Sequence, residues 1–163
     1  MEQGPILIRA IGPGDAERLM AFYAALSDEG RATRFLGARR GISDAEAVAF
    51  ATARDRGGDG LVAVDRSTGQ IVGHLCLEPA RPGVEEIGVA TADRLHGSGI
   101  ARELVKGALA SGRRRGTAAF EATMLTGNRA IHRLLKRAGI PWRRRRIDAG
   151  TELIVLDILA ASA

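Results

Sequence analysis

Two neighbouring groups of residues in this chain could do chemistry together. The first is the carboxylate pair Glu85-Glu86, near the start of the stretch Val84–Thr91, which reads as a strand. A carboxylate placed beside a protonated group can take its proton, directly or through water. Successive strand residues point to opposite faces, so at most one of the two can face a given substrate. The second is His96-Gly97-Ser98-Gly99-Ile100-Ala101-Arg102, small residues between that strand and a following helix. Glycines let the backbone come close to a ligand, and a helix start offers unpaired N–H groups and the positive end of its dipole. That combination can hold a diphosphate. Two glycines one residue apart also suit a plain strand-to-helix turn, and the spacing alone leaves both readings open.

The elements that must position these residues follow from periodicity. Ile6–Ile11 reads as a first strand, ended by Gly12-Pro13-Gly14. Leu19, Phe22, Tyr23 and Leu26 recur at helical spacing within Asp15–Leu26. Ser27-Asp28-Glu29 caps a short helix running to about Leu36. Ser43-Asp44-Ala45-Glu46 is a capping box for a helix to about Arg54. After Gly57-Gly58-Asp59-Gly60, read as flexible, Leu61–Val64 and Ile71–Leu77 form a hairpin through Ser67-Thr68-Gly69-Gln70, and Pro79 and Pro82 mark a turn before Val84–Thr91. A helix from Gly99 to Gly112, a strand Thr117–Leu125, a helix Asn128–Ala138 and two strands flanking Asp148-Ala149-Gly150 complete the chain. Three strands in series followed by alternating helices and strands predict an α/β (α+β) fold: one mixed, mostly antiparallel sheet of about seven strands, with helices on both faces. The whole of residues 1–163 reads as a single domain.

Composition narrows the function. The single cysteine, Cys76, excludes an internal disulfide and a cysteine-based zinc site, and it reads as a buried packing thiol. His74, His96 and His132 show no close metal-ligand spacing, so no metal is expected. The N-terminus lacks a signal-peptide layout, and the longest apolar run, Leu153–Ala161, is interrupted by Asp157 and too short for a bilayer. A cytoplasmic location is the expectation. The net charge of +5 comes almost wholly from arginine, in part as the runs Arg113–Arg115 and Arg143–Arg146. With six aromatic residues in all, the chain offers few stacking platforms for nucleic acid. The lysine-containing G-x-x-x-x-G-K-[ST] pattern is absent, and the glycine loop follows the fourth strand rather than opening a dinucleotide-binding unit.

With these elements in place, His96-Gly97-Ser98-Gly99-Ile100-Ala101 resembles the acetyl-CoA loop Gln/Arg-x-x-Gly-x-Gly/Ala of the GNAT superfamily of N-acetyltransferases, except that His96 replaces Gln or Arg. A register with Arg94, Gly97 and Gly99 in those roles is the alternative. Asn128–Ile140 resembles the family segment in which Asn opens a helix ending in Gly-Phe. Element order follows the family over nearly the whole chain. Ile8–Ile11 through Asp15, Arg34-Phe35-Leu36, Ser43–Glu46, Glu86-Ile87 and Met124-Leu125 resemble the acetyltransferase domain of bacterial Pat-type protein lysine acetyltransferases. The resemblance implies acetyl-CoA as cosubstrate, Glu86 as general base with Glu85 as the alternative, and backbone contacts from Val89, Ala90 and Thr91 to pantetheine. It further implies a diphosphate held by residues 96–102, and a contact from Asn128, which also suits an N-cap. Where many members carry a tyrosine acid this chain has Leu135.

The expected function is therefore direct transfer of acetyl from acetyl-CoA to an amine, a protein lysine or else a small molecule. A non-catalytic acetyl-CoA-sensing module is the rival from another class, and nucleic-acid binding through arginine is a third reading. Membrane partners are not expected. His74 reads as a packed or edge histidine, and His132, among arginines, as solvated. Arg113–Arg115 reads as a solvated helix end, with a CoA 3′-phosphate contact as the alternative. Arg143–Arg146 reads as a solubilised edge strand or a contact for an acidic protein.

Overall fold

Twelve elements follow one another in the predicted order. They are β1 (Ile6–Ala10), α1 (Ala16–Ala25), α2 (Asp28–Phe35), α3 (Asp44–Ala51), β2 (Asp59–Asp65), β3 (Ile71–Arg81), β4 (Val84–Thr91), α4 (Ile100–Arg115), β5 (Ala119–Leu125), α5 (Arg129–Ala138), β6 (Trp142–Asp148) and β7 (Thr151–Asp157). The computed structural model describes residues 5–159; residues 1–4, read above for a signal peptide, and residues 160–161 of the last apolar run lie outside them.

The local signals act as their chemistry dictates. Ser27 Oγ accepts from the Gly30 N–H at 3.0 Å, and the Ser43–Glu46 box closes reciprocally at 3.1 and 2.8 Å. Three readings need correction. Gly112 does not end α4, which runs on to Arg115 and is capped by Gly116 at φ 77°. A Cβ at Gly112 would lie 2.8 Å from Phe120 Cζ, so this glycine admits β5 close to the helix. Pro79 does not turn the chain; β3 passes through it to Arg81, where a register shift beyond the end of β2 tolerates a residue with no N–H. Gly58 and Gly60 are not a flexible hinge, because a Cβ would meet Leu77 O at 2.4 Å and Ile11 Cγ2 at 2.6 Å respectively.

The strands form one sheet in the order β1-β2-β3-β4-β5-β7-β6. Every pairing is antiparallel except β4 with β5. The last hairpin folds back so that β7 inserts between β5 and β6, which leaves β6 as an edge. One face packs Leu75, Leu77, Ile87, Phe120, Ile154 and Leu156 against Leu104, Val105, Ala108 and Leu109 of α4 and Leu135 of α5. On the other face, Leu19, Phe22 and Tyr23 of α1 and Ala47 and Ala51 of α3 cover Val62, Val64 and Ile71. That second cluster draws on β2, β3 and, through Ala90, β4, so neither α1 nor α3 covers β5, β7 and β6 on that face, where α2 reaches only β4 and β5.

The parallel ladder is short. Val84, Glu85 and Glu86 pair with Ala119, Phe120 and Glu121, and there it stops. Residues 87–91 of β4 stay paired to β3 on one edge, from Ile87↔Leu77 to Thr91↔Gly73, and have no strand partner on the other. The sheet parts at Glu86.

Candidate active site

The two carboxylates of the Glu85-Glu86 pair are separated by the pleat. Glu85 is 5% exposed and turned to the α4 side, where Arg115 Nη2 donates to its Oε2 at 2.9 Å, Arg115 Nη1 donates to Oε1, and Thr117 Oγ1 donates at 2.8 Å. It ties the end of α4 to β4 and is not available to a substrate. Glu86 is exposed on the opposite face and makes no ion pair among the described residues. It opens into a cavity of about 440 Å³ lined also by Arg81, Glu121, Thr123, Arg145, Arg146 and Leu153. Glu121, its neighbour across the ladder, is held by Arg81 from β3 and by Arg145 from β6, the latter at 2.5 Å. The Arg81 bond, then Arg145, hold its carboxyl below the usual range against the opposing effect of burial. The cavity therefore contains one clamped carboxylate and one free one. A larger hollow of about 580 Å³ between α1 and the Arg39–Ile42 segment shares none of these residues and has no carboxylate or imidazole in its lining.

Below Glu86 the backbone itself becomes a site. Alternate residues of an antiparallel strand turn both N–H and C=O away from their partner. In residues 87–91 those groups face the parted edge. The strand leads through a 3₁₀ turn, Asp93–Leu95, whose Asp93 accepts from Ser27 N–H at 2.7 Å and Ser27 Oγ at 3.0 Å, tying it to the start of α2. Gly97 and Gly99 then adopt φ of 81° and 90°, with nothing within 4 Å of where a Cβ would stand, so the backbone angle and not crowding demands glycine there. Gly99 caps α4 with no side-chain bond, so among the described residues no capping oxygen competes for the N–H groups of the first turn. His96, Gly97, Ser98, Gly99 and Arg102 are exposed around them, while Ile100 is buried and anchors the helix. Asn128 caps α5, its Oδ1 accepting from the Ile131 N–H at 3.3 Å, which leaves its Nδ2 free to donate elsewhere. A free strand edge running into an uncapped helix start fits an extended amide-bearing arm that ends in a diphosphate, the shape of CoA.

Beside Glu86 lies a group that sequence reasoning knew only as part of a motif. The Arg34 guanidinium rests on β4 at Gly88, where a Cβ would be 2.6 Å from its Cζ. It donates to Cys76 Sγ at 3.1 Å and lies 4.9 Å from the Phe35 ring centroid, and its Nε is buried with no hydrogen-bond partner. Burial opposes its charge, yet the neighbouring Tyr23, Cys76 and Glu86 raise its pKa on balance. Next to it Tyr23 and His74 are fully buried and share a bond of 2.7 Å. Burial pushes Tyr23 up to about 12 and His74 down to about 3, so both are neutral near pH 7.

A family model described as an acetyltransferase (GNAT) domain matches residues 6–140. The chain belongs to the GNAT acetyltransferase family. Among solved structures it is similar to the GNAT domain of PAT from S. lividans, at 25% identity and a TM-score of 0.82 over 92% of this chain and 89% of that one. It is also similar to yncA, a putative acetyltransferase from Salmonella typhimurium solved with acetyl-CoA, at 18% identity and a TM-score of 0.74 over 94% of each chain. A ribosomal-protein-alanine N-acetyltransferase from Brucella melitensis shares the fold at 23% identity and a TM-score of 0.70, over 92% of this chain and 97% of that one. No curated protein matches the sequence. The protein is thus an acetyl-CoA-dependent N-acetyltransferase, and its sheet is the mixed GNAT sheet.

Within this GNAT domain several other sequence readings resolve. Cys76 and His74 are buried, as expected. His132 is not solvated: its Nε2 lies 2.7 Å from Glu152 Oε1 and its ring 4.6 Å from that of Trp142, because the far face of β6–β7 needs a cover. Arg113–Arg115 stand at the far end of a 16-residue helix, about 22 Å from its start, and Arg115 is spent on Glu85. Leu135 is packed in the core. No helix among the described residues is long and apolar enough to cross a membrane.

Proposed function

We propose that this protein transfers acetyl from acetyl-CoA to a protein lysine side chain, with Glu86 as the general base. One observation carries the reading: of the two adjacent carboxylates, only Glu86 is free, and it stands where β4 and β5 part. Acetyl-CoA supplies a thioester whose carbonyl carbon an uncharged amine attacks, with the sulfur as leaving group. A lysine ammonium is neutral in only about one part in a thousand at pH 7.4, so a base is needed. Glu86 takes that proton on a carboxylate oxygen, directly or through a water in the cavity. The free edge formed by Val89, Ala90 and Thr91 bonds the pantetheine arm and directs an N–H at the thioester oxygen, where negative charge develops. Backbone N–H groups from Gly97, Gly99, Ile100, Ala101 and Arg102 hold the diphosphate, with His96 and the Ser98 side chain flanking them, since the Ser98 N–H is donated to Leu95 O at 3.1 Å, and Asn128 Nδ2 reaches the CoA arm. The one tyrosine of the chain, Tyr23, is fully buried. No tyrosine acid is assigned, and a thiol with pKa near 8.5 leaves without one.

The lysine acceptor is supported by the Pat-type motifs of the sequence and by the open cavity beside Glu86. The cavity volume, about 440 Å³, also suits a small amine, which is the second reading. Glu86→Gln tests the base: turnover should fall by about 10²–10⁴ while acetyl-CoA binding, followed by calorimetry, is retained. Full turnover in that variant would remove Glu86 from the role, and turnover on small amines but on no protein would replace the acceptor.

A further inference from the structure

Two arginines of β6, Arg145 and Arg146, are not used by the reaction just described, yet they reach the same cavity. Residues paired directly across a sheet point to the same face, so Glu86, Glu121, Val155 and Arg143 form one row across β4, β5, β7 and β6. Thr123, Leu153 and Arg146 form the next. A register shift between Arg144 and Arg146 makes Arg145 an extra residue in β6. The bulge lets Arg145 and Arg146, adjacent in sequence, both line the cavity that contains Glu86. Neither α1 nor α3 covers this face; Glu121 and Val155 are buried in it, while Glu86, Arg143, Arg145 and Arg146 are exposed.

The charge there is unbalanced in a particular way. Arg81 and Arg145 share one carboxylate, Glu121. Arg146 meets only the exposed Asp148, at 2.9 Å, and Arg143 makes no ion pair among the described residues. Once an acceptor ammonium sits on Glu86, the face keeps a surplus of positive charge running from the cavity to the edge of the sheet. Charged side chains keep an edge strand soluble; of the four successive arginines, Arg144 turns to the other face and holds the buried Glu152 at 2.8 Å, while the bulge turns Arg145 and Arg146 into the cavity beside Glu86, which solubility alone does not require.

We infer that this arginine-bearing face of β5, β7 and β6 docks an acidic segment of the acceptor protein, so that the enzyme selects lysines with Asp or Glu nearby. The inference rests on the protein-lysine reading. From β4 to β6 is three strand spacings, about 14 Å, which an extended chain covers in about four residues. The acidic residues should therefore lie within about four positions of the lysine.

The test uses peptides of one length with a single lysine, flanked by acidic, uncharged or basic residues, at two ionic strengths. Wild type is compared with Arg146→Ser and Arg143→Ser/Arg146→Ser, since neither arginine holds a buried carboxylate. Acidic flanks should raise kcat/KM about tenfold over neutral ones, the scale of two exposed ion pairs, and high salt should shrink that preference. The double variant should lose the preference, its kcat/KM on the acidic peptide falling to that on the neutral one, while its Tm is kept. Equal rates on acidic and neutral peptides would overturn the inference, as would a preference retained in the double variant. So would a double variant with lowered Tm and equal losses on both peptides, because the arginines would then serve only to keep the edge folded. Turnover on small amines with none on any peptide is a different result: it removes the protein-lysine reading, and this inference with it.

Discussion

Replacing Glu85 by alanine separates the two carboxylates experimentally. Glu85 accepts two bonds from Arg115 and one from Thr117, and joins the end of α4 to β4. Removing one partner of a fully buried pair costs about 3–5 kcal/mol. Here Glu85 is 7% exposed in its side chain but Arg115 is 30% exposed, and its guanidinium can turn to water. The charge term is discounted accordingly, and the orphaned Thr117 hydroxyl adds about 1 kcal/mol, giving about 2–3 kcal/mol. For a domain of this size each kcal/mol moves Tm by about 2–4 °C, so Glu85→Ala should melt about 5–10 °C below wild type. Its turnover, measured well below that Tm, should stay within a few-fold, because Arg115 and Thr117 are on the far face from Glu86. Calorimetry and steady-state acetyl-CoA turnover read the two effects separately. An unchanged Tm with turnover down a hundredfold would refute the reasoning: Glu85 would be the base, and the face assignment of β4 would be wrong.

Gly99→Ala adds a methyl group with room around it but at φ 90°, so its cost is backbone strain of about 1–2 kcal/mol. If the loop holds the diphosphate, KM for acetyl-CoA should rise about tenfold with the acceptor KM unaffected; an unchanged acetyl-CoA KM would remove the loop from binding. His74 is neutral in the fold down to about pH 3 but ionises near 6.5 in the unfolded chain. Its contribution is therefore complete above pH 6.5 and is lost as pH falls from there towards 3. Between pH 6.5 and 5 it should cost wild type about 2 kcal/mol that His74→Gln does not lose, read from urea midpoints. Parallel pH profiles for the two proteins would contradict this.

Much of the framework could be read from the residues because the signals were local. The Ser43–Glu46 box, the glycine-to-helix transition at Gly99 and the Asn128 cap each act within one turn, and each stands where the pattern put it. Gly112 and Pro79 misled for the same reason in reverse. Their local preference is to stop an element, but the neighbours that decide are on other elements: Phe120 on the following strand and the end of β2. Period two was enough to say that Glu85 and Glu86 face opposite ways. It could not say which way, since that depends on Arg115 and Thr117 reaching one of them. The Glu121 clamp was invisible because Arg81 and Arg145 come to it from strands 40 and 24 residues away. Alternation did mark Glu121 and Thr123 as polar positions on an otherwise apolar strand, and that was the available signal.

The clamp explains how one carboxylate can be left free at the place where the sheet opens. Glu86 and Glu121 are directly paired at the last rung of the parallel ladder, and like charges so placed repel. Two arginines on Glu121 more than neutralise it, one reaching from each half of the sheet. The rung can then close without Glu86 having to give up its own charge to a partner. Beyond that rung β5 stays with β7 while β4 stays with β3, so the edge of β4 is released at the very residue whose side chain is unpaired. In the proposed site the donor uses that edge and the acceptor uses the face at right angles to it. The two substrates can therefore meet at Glu86 without crossing each other's path, and the arginines that settle the charge at Glu121 are the first that an arriving acceptor would meet.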